Sequence, residues 1–172
     1  FKGRPWSSQT AWAALLALGG DDVSWLEYHK RRRLFLKLKD IGAEELVWLA
    51  RNRMDARGYL VSPSFEDDVR EALVATGMAS SFVAELGLAP TTPVLDGYSI
   101  GRTAEEFEHD FFLVEDTSGP CIVRYAKDLP ASLEDMTEMP EPVVAADLAM
   151  SVDVRERRCG LGYLEGLLDG MR

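Results

Sequence analysis

Three groups of residues have types and spacings that could carry chemistry. The first is a run of cations: Lys30, Arg31, Arg32, Arg33 and Lys37, followed by Arg51, Arg53 and Arg57. Their natural ligands are phosphate oxygens or the carboxylates of an acidic partner, which includes a second copy of the chain. The plainer account is a solvated helix face. The second group is Glu105, Glu106, Glu108, His109 and Asp110. On a helix, Glu105 and His109 lie one turn apart, close enough to share a metal or to work as an acid–base pair. The other histidine is His29, and no third ligand is evident, so an acidic surface helix is the better reading. The third group is Cys121 and Cys159. Cys121 has no neighbouring base in sequence, and a free cysteine is usually a buried hydrophobe. Two cysteines supply neither a disulfide framework nor a metal motif.

The common catalytic signatures are missing. There is no G-x-S-x-G elbow, no P-loop and no dinucleotide fingerprint. A nucleotidyl-transfer site would need paired carboxylates after a Gly-Ser turn, and the chain has no Gly-Ser dipeptide. Gly160, Gly162 and Gly166 fall in an expected helix with no strand before them, which points to close helix packing rather than a phosphate cradle. The expectation is a non-enzyme with no catalytic residues, no cofactor and no metal.

The elements that position these residues follow from periodicity. Ser7 or Ser8 caps an expected helix over 7–18, with Trp12, Ala13, Leu15 and Leu16 on its apolar face and Gly19-Gly20 at its end. A second helix is expected from about 25 to 40. Leu34, Leu36 and Leu38 also alternate as a strand would, but the preceding Lys/Arg run favours helix. A third is expected over 43–57, with Leu46, Val47, Leu49, Ala50 and Met54 inward, Arg51, Arg53 and Arg57 outward, and Gly58 as its C-cap. Tyr59-Leu60-Val61 is a short extended piece. Ser62-Pro63-Ser64, with Asp67 three residues on, starts a helix over 64–76, and another covers 79–86.

Residues 90–93 resemble a linker, after which the period changes. Strands are expected over 94–100, 111–115 and 122–126, with residues 116–120 as a hairpin turn and a short acidic helix over 103–109. Residues 130–142 form an irregular crossing. Helices over 142–150 and 154–168 finish the chain, the second capped by Asp153 and Glu156. The four tryptophans, Trp6, Trp12, Trp25 and Trp48, are all in the first 48 residues. They suit core and interface anchors better than base stacking. The fold class is α+β: a helical N-terminal half packed on a small antiparallel sheet, with two C-terminal helices. One domain over 1–172 is expected, with a possible sub-division into 1–88 and 94–172.

The chain has 172 residues, 47% of them apolar and 28% charged, which suits a folded domain with its own core. No apolar run approaches the ~18–20 residues of a membrane span, and residues 11–18 lack the cleavage site of a signal peptide. A cytoplasmic protein without a membrane partner is expected. The net charge of −10 is divided unevenly. Residues 1–60 hold eleven Lys/Arg against seven Asp/Glu, and residues 61–172 hold eight against twenty-two. Any nucleic-acid contact must therefore use the cationic run alone.

One ordered set of short motifs carries a resemblance. It comprises Gly3-Arg4-Pro5-Trp6 before the Ala/Leu helix; Asp22-Val23-Ser24-Trp25-Leu26; Tyr59-Leu60-Val61-Ser62-Pro63-Ser64; Thr76-Gly77-Met78-Ala79-Ser80-Ser81 up to Leu86-Gly87-Leu88; Asp96-Gly97-Tyr98; and Val143-Val144-Ala145-Ala146-Asp147-Leu148 with Asp153-Val154-Arg155-Glu156-Arg157-Arg158. The set resembles the C-terminal body of actinobacterial helix-turn-helix regulators related to AbiEi-type (type IV) antitoxins, over nearly the whole chain. The resemblance implies a non-catalytic regulator of a toxin–antitoxin or similar operon. It implies a protein partner, such as a toxin, or operator DNA met through the cationic run, and a possible homodimer. No winged helix is evident ahead of Phe1, so the expectation is a regulator body without that domain. Two alternatives remain open at this level. One is an acidic immunity or inhibitor protein that covers a basic nuclease-type toxin. The other is a hydrolase or transferase using Glu105, His109 or Cys121.

Overall fold

The computed structural model describes residues 3–89 and 94–172; the linker-like residues 90–93 lie outside the described set. The chain forms two compact units. The first comprises Phe1–Arg53, Lys127–Pro130 and Pro140–Arg172, and the second Met54–Ala126 and Ala131–Met139. The chain passes from one to the other after Arg53, not between 88 and 94.

The first unit is helical. Helix α1 (Ser8–Leu18) starts where Ser7 Oγ accepts from Thr10 N at 3.3 Å. Residues 11–16 are all buried, so α1 is enclosed on every side rather than on one face. Trp12 is part of this core, and its indole N–H donates to the Lys127 carbonyl at 2.8 Å. Helix α2 (Tyr28–Leu38) resolves the helix-or-strand ambiguity: Leu34 and Leu38, one turn apart, are its buried residues. Helix α3 (Ala43–Leu49) is much shorter than the expected span to 57. After Ala50 the backbone tightens into a 3-10 turn over Arg51–Arg53 and then enters a strand. Pairing with residues seventy positions further on overrides the local helix propensity.

Helices α6 (Glu141–Leu148) and α7 (Val154–Asp169) close this unit. Asp153 caps α7, its carboxylate accepting from Arg155 N at 2.8 Å and Glu156 N at 3.1 Å. Proximity of α6 and α7 depends on Gly160, where a Cβ would collide with the Ala145 carbonyl and sit 2.7 Å from Ala149 N. The packing expected of the three α7 glycines is thus real at Gly160. Gly162 and Gly166 have open space where a Cβ would be.

The second unit is built on five strands: β1 (Met54–Leu60), β2 (Leu73–Ala75), β3 (Leu95–Ser99), β4 (Val114–Glu115) and β5 (Cys121–Ala126). Their order is β2-β3-β5-β1-β4. The α+β class holds, but the sheet is mixed rather than antiparallel. Strand β3 runs parallel to β5, with Leu95 opposite Cys121 and Ser99 opposite Tyr125. The expected hairpin over 111–126 is also replaced. Strands β4 and β5 both pair with β1 and flank it, because Gly58 and Gly119 leave room for the 116–120 turn to cross it. A Cβ on Gly58 would strike the Asp116 carbonyl, and one on Gly119 the Tyr59 backbone. Gly58 is therefore a strand residue, not a helix cap.

The helix expected over 64–76 is a 3-10 turn (Pro63–Phe65), then α4 (Glu66–Ala72), then β2. The Ser64 cap does not form; its hydroxyl meets that of Ser62 at 3.1 Å. Residues 79–86 hold 3-10 turns in place of a helix. Helix α5 (Ala104–Asp110) forms as expected, with Thr103 Oγ1 accepting from Glu106 N at 3.2 Å. Val69 and Leu73 from the α4 segment, Phe107 from α5, and Tyr59, Cys121 and Val123 from the sheet make the core. Of the first-half helices, α1–α3 belong to the helical unit and α4 to the sheet unit.

Gly160→Ala is expected to destabilise the protein by about 1–3 kcal/mol through overpacking. Gly162→Ala should instead stabilise it by about 0.4–1 kcal/mol through helix propensity and a less flexible unfolded chain. Urea unfolding of the two variants side by side checks both signs.

Candidate functional site

Three of the expected cations form one surface. Lys30, Arg33 and Lys37 sit on α2 at spacings of three and four residues, which places them on one helix face. Together with Trp6, Thr10 and Leu34 they line an open depression of about 390 Å³. Among the described residues, none of the three has a carboxylate within salt-bridge distance. The side chain of Glu27 lies nearby, but it caps α2, accepting from the backbone of His29 at 2.9 Å and Lys30 at 3.3 Å. Those hydrogen bonds, His29 foremost, hold its carboxyl below the usual range and keep it anionic.

Leu34, between the cations, anchors α2 in the core, so the charged face is fixed in orientation. Sequence reasoning missed Trp6 and Thr10 as part of this surface. Trp6 is held by its backbone N–H, which donates to the Leu49 carbonyl at 2.9 Å. Trp6 stood out in the sequence as one of four N-terminal tryptophans and in the Gly3-Arg4-Pro5-Trp6 motif, neither of which says what it faces.

The other expected contacts divide by environment. Arg32 is exposed. Arg31 curls back to donate to the Ser24 and Leu26 carbonyls at 3.0 and 3.1 Å, and so anchors the turn before α2. Arg51 lies over the Trp48 ring at 3.2 Å, a cation–π contact that occupies its face. Arg53, expected to point outward, is fully buried. Its guanidinium donates to Asp147 Oδ1 at 2.5 Å and to the Ala50 carbonyl at 2.9 Å, so it is a structural cation and not a surface contact. Arg57 belongs to the sheet unit, on β1, and pairs with Glu108 at 3.4 Å.

The groups weighed for catalysis also have other partners. Glu108 accepts from the Tyr59 hydroxyl at 2.8 Å, and that hydroxyl shares a 2.7 Å hydrogen bond with the Tyr125 hydroxyl. His109 is 90% exposed, with only its neighbour Asp110 in reach. No cluster of three metal-ligating side chains occurs among the described residues. Cys121 is buried between β3 and β1, and burial together with the Asp96 charge pushes its thiol up to about 12. Asp96 is committed to Arg124 through paired bonds of 2.9 and 3.0 Å.

The chain matches no protein-family model, no curated protein and no solved structure.

The role of Arg53 is testable by cycle. Asp147→Ala leaves a buried guanidinium unpaired and should cost about 3–5 kcal/mol, whereas replacing both partners by apolar residues of similar volume should cost far less. Chemical denaturation of the single and double variants reads the difference.

A second expectation concerns alkali. Burial raises the Cys121 thiol; burial, with the hydrogen bonds to Tyr125 and Glu108, raises the Tyr59 phenol; and burial raises Tyr125. The folded state holds these protons more tightly than the unfolded chain does. Their contribution to stability is complete below the ordinary thiol range near 9 and is lost as pH rises toward about 12. The urea midpoint should therefore fall between these pH values, and iodoacetamide should leave Cys121 unmodified in the folded protein at pH 8.

Proposed function

We propose that this chain is a non-catalytic regulatory protein of the antitoxin-like kind, acting by binding, and that the cationic face of α2 contacts nucleic-acid phosphates. The observation that carries the reading is the set Lys30, Arg33 and Lys37, which line one depression and have no carboxylate partner. Lysine and arginine at such spacing follow a phosphate backbone, and a half-buried indole beside them offers a flat apolar contact for a sugar or base. The geometry of the carboxylates, His109 and Cys121 described above favours binding over catalysis. The motif resemblance supports the same reading, in which such a body serves a regulator of a toxin–antitoxin operon. The expected setting is the cytoplasm, and operator DNA is the first ligand to test.

The experiment is fluorescence anisotropy of a labelled DNA duplex titrated with the chain at several salt concentrations. Three phosphate contacts predict a slope of log K against log salt of about −2.7. Reversing Lys30, Arg33 and Lys37 to Glu should abolish binding, and each single reversal should remove about one unit of slope. Reversing Arg57, which is already paired with Glu108, should change the slope little. Binding that is indifferent to salt, or retained by the triple variant, would sink the proposal.

A further inference from the structure

The sheet unit carries a surface of the opposite character. Leu60 and Val114 face each other across the β1–β4 pair and are 47% and 60% exposed. Two residues before Val114 stands Phe112, 72% exposed, its ring tilted against Phe65 with centroids 5.3 Å apart. Phe112 also has φ +52°, the left-handed region that a bulky side chain enters at a cost and that Gly or Asn occupies more readily. The fold thus holds an aromatic ring in water on a strained residue, at the outermost strand of its sheet. Strain of this kind, together with an exposed aromatic, is the pattern of a contact made with something else.

The charge around this edge selects the partner. Glu115 lies on β4, Asp116 follows it, and Glu66, Asp67 and Asp68 come directly after Phe65. The whole unit holds sixteen Asp/Glu against four Lys/Arg. All four of those cations are already paired: Arg57 with Glu108, Arg70 with Asp67, Arg102 with Asp110 and Arg124 with Asp96. The unit is left with twelve more carboxylates than cations. Nucleic acid is repelled by it, and a second copy would bring the same carboxylates face to face.

We propose that the apolar edge at Phe112, Val114 and Leu60 is the docking site of a cationic protein. An apolar side chain of the partner packs on Phe112, and flanking Lys or Arg meet Glu66, Asp68 and Glu115. This proposal is independent of the α2 face, since the two surfaces use different residues in different units.

The probe is a short synthetic peptide that alternates lysine with valine, followed by calorimetry at physiological salt. Peptides alternating lysine with serine, and glutamate with valine, are the controls. The Lys–Val peptide should bind at least about tenfold tighter than the Lys–Ser one, and Phe112→Asn should weaken it by about thirtyfold. The thermal midpoint of Phe112→Asn should be unchanged or raised, because Asn relieves the left-handed backbone. Val114→Thr, which leaves that backbone alone, should weaken binding in the same direction. Three results would each overturn the proposal: equal binding of the Lys–Ser peptide, no binding of the Lys–Val peptide, or affinity untouched by both substitutions. Sedimentation showing a dimer that Phe112→Asn dissociates would overturn it too, by assigning the edge to a second copy.

Discussion

Each compact unit depends on one buried arginine–aspartate pair. In the helical unit, Arg53 and Asp147 are both fully enclosed, although ninety-four positions separate them. In the sheet unit, Arg124 and Asp96 meet through two hydrogen bonds between the parallel strands β5 and β3. Removing a charge from water costs several kcal/mol per ion, roughly what a well-made pair returns. Such pairs therefore add little to net stability. Their effect is on alternatives: any arrangement that buries one partner without the other is heavily penalised. The last turn of the first segment must bring Arg53 to α6, and β3 must take the register that puts Asp96 against Arg124. Gly77 fits the same constraint, since its φ of +55° and missing side chain leave space for the Asp96 carboxylate.

The parts of the fold legible in the sequence are those whose signals are local. Helix α1 has Ser7 before it and Gly19-Gly20 after it, and α7 has Asp153 at its cap; these boundaries come within a residue or two. The parts that were not legible are decided at long range. Residues 50–57 have a helical apolar period, yet they leave α3 because β1 pairs with β5 from Met54 to Tyr59. Residues 116–120 have hairpin chemistry, yet the turn straddles β1 instead of joining two adjacent strands. Nothing in the turn itself says that Gly58, sixty positions earlier, will leave the opening through which it passes. The parallel pairing of β3 with β5 is equally silent, since a strand pattern specifies faces and not direction.

The candidate site shows the same division. Composition and spacing were enough to find the cations of α2. They could not say which were available, because availability depends on what each cation meets. Arg31 is turned onto carbonyls, Arg51 onto an indole, Arg53 into the core and Arg57 onto a glutamate. Each is committed for a different reason, and the nearby partners are only Trp48 for Arg51 and the Ala50 carbonyl for Arg53. Lys30, Arg33 and Lys37 share one helix face beside Trp6, and Arg32 is exposed on the same helix.

Charge is segregated by unit far more sharply than by halves of the chain. The helical unit holds fifteen Lys/Arg against thirteen Asp/Glu, while the sheet unit holds four against sixteen. The net charge of −10 is thus carried by one unit, and the other is close to neutral, with Lys30, Arg33 and Lys37 on one face of α2. At physiological salt the Debye length is about 8 Å, so the charges local to a surface count for more there than the net charge of the chain. At low salt the field of the acidic unit reaches further and opposes a polyanion. The phosphate contact proposed for α2 is thus opposed by the net charge of the chain, the more so as salt falls.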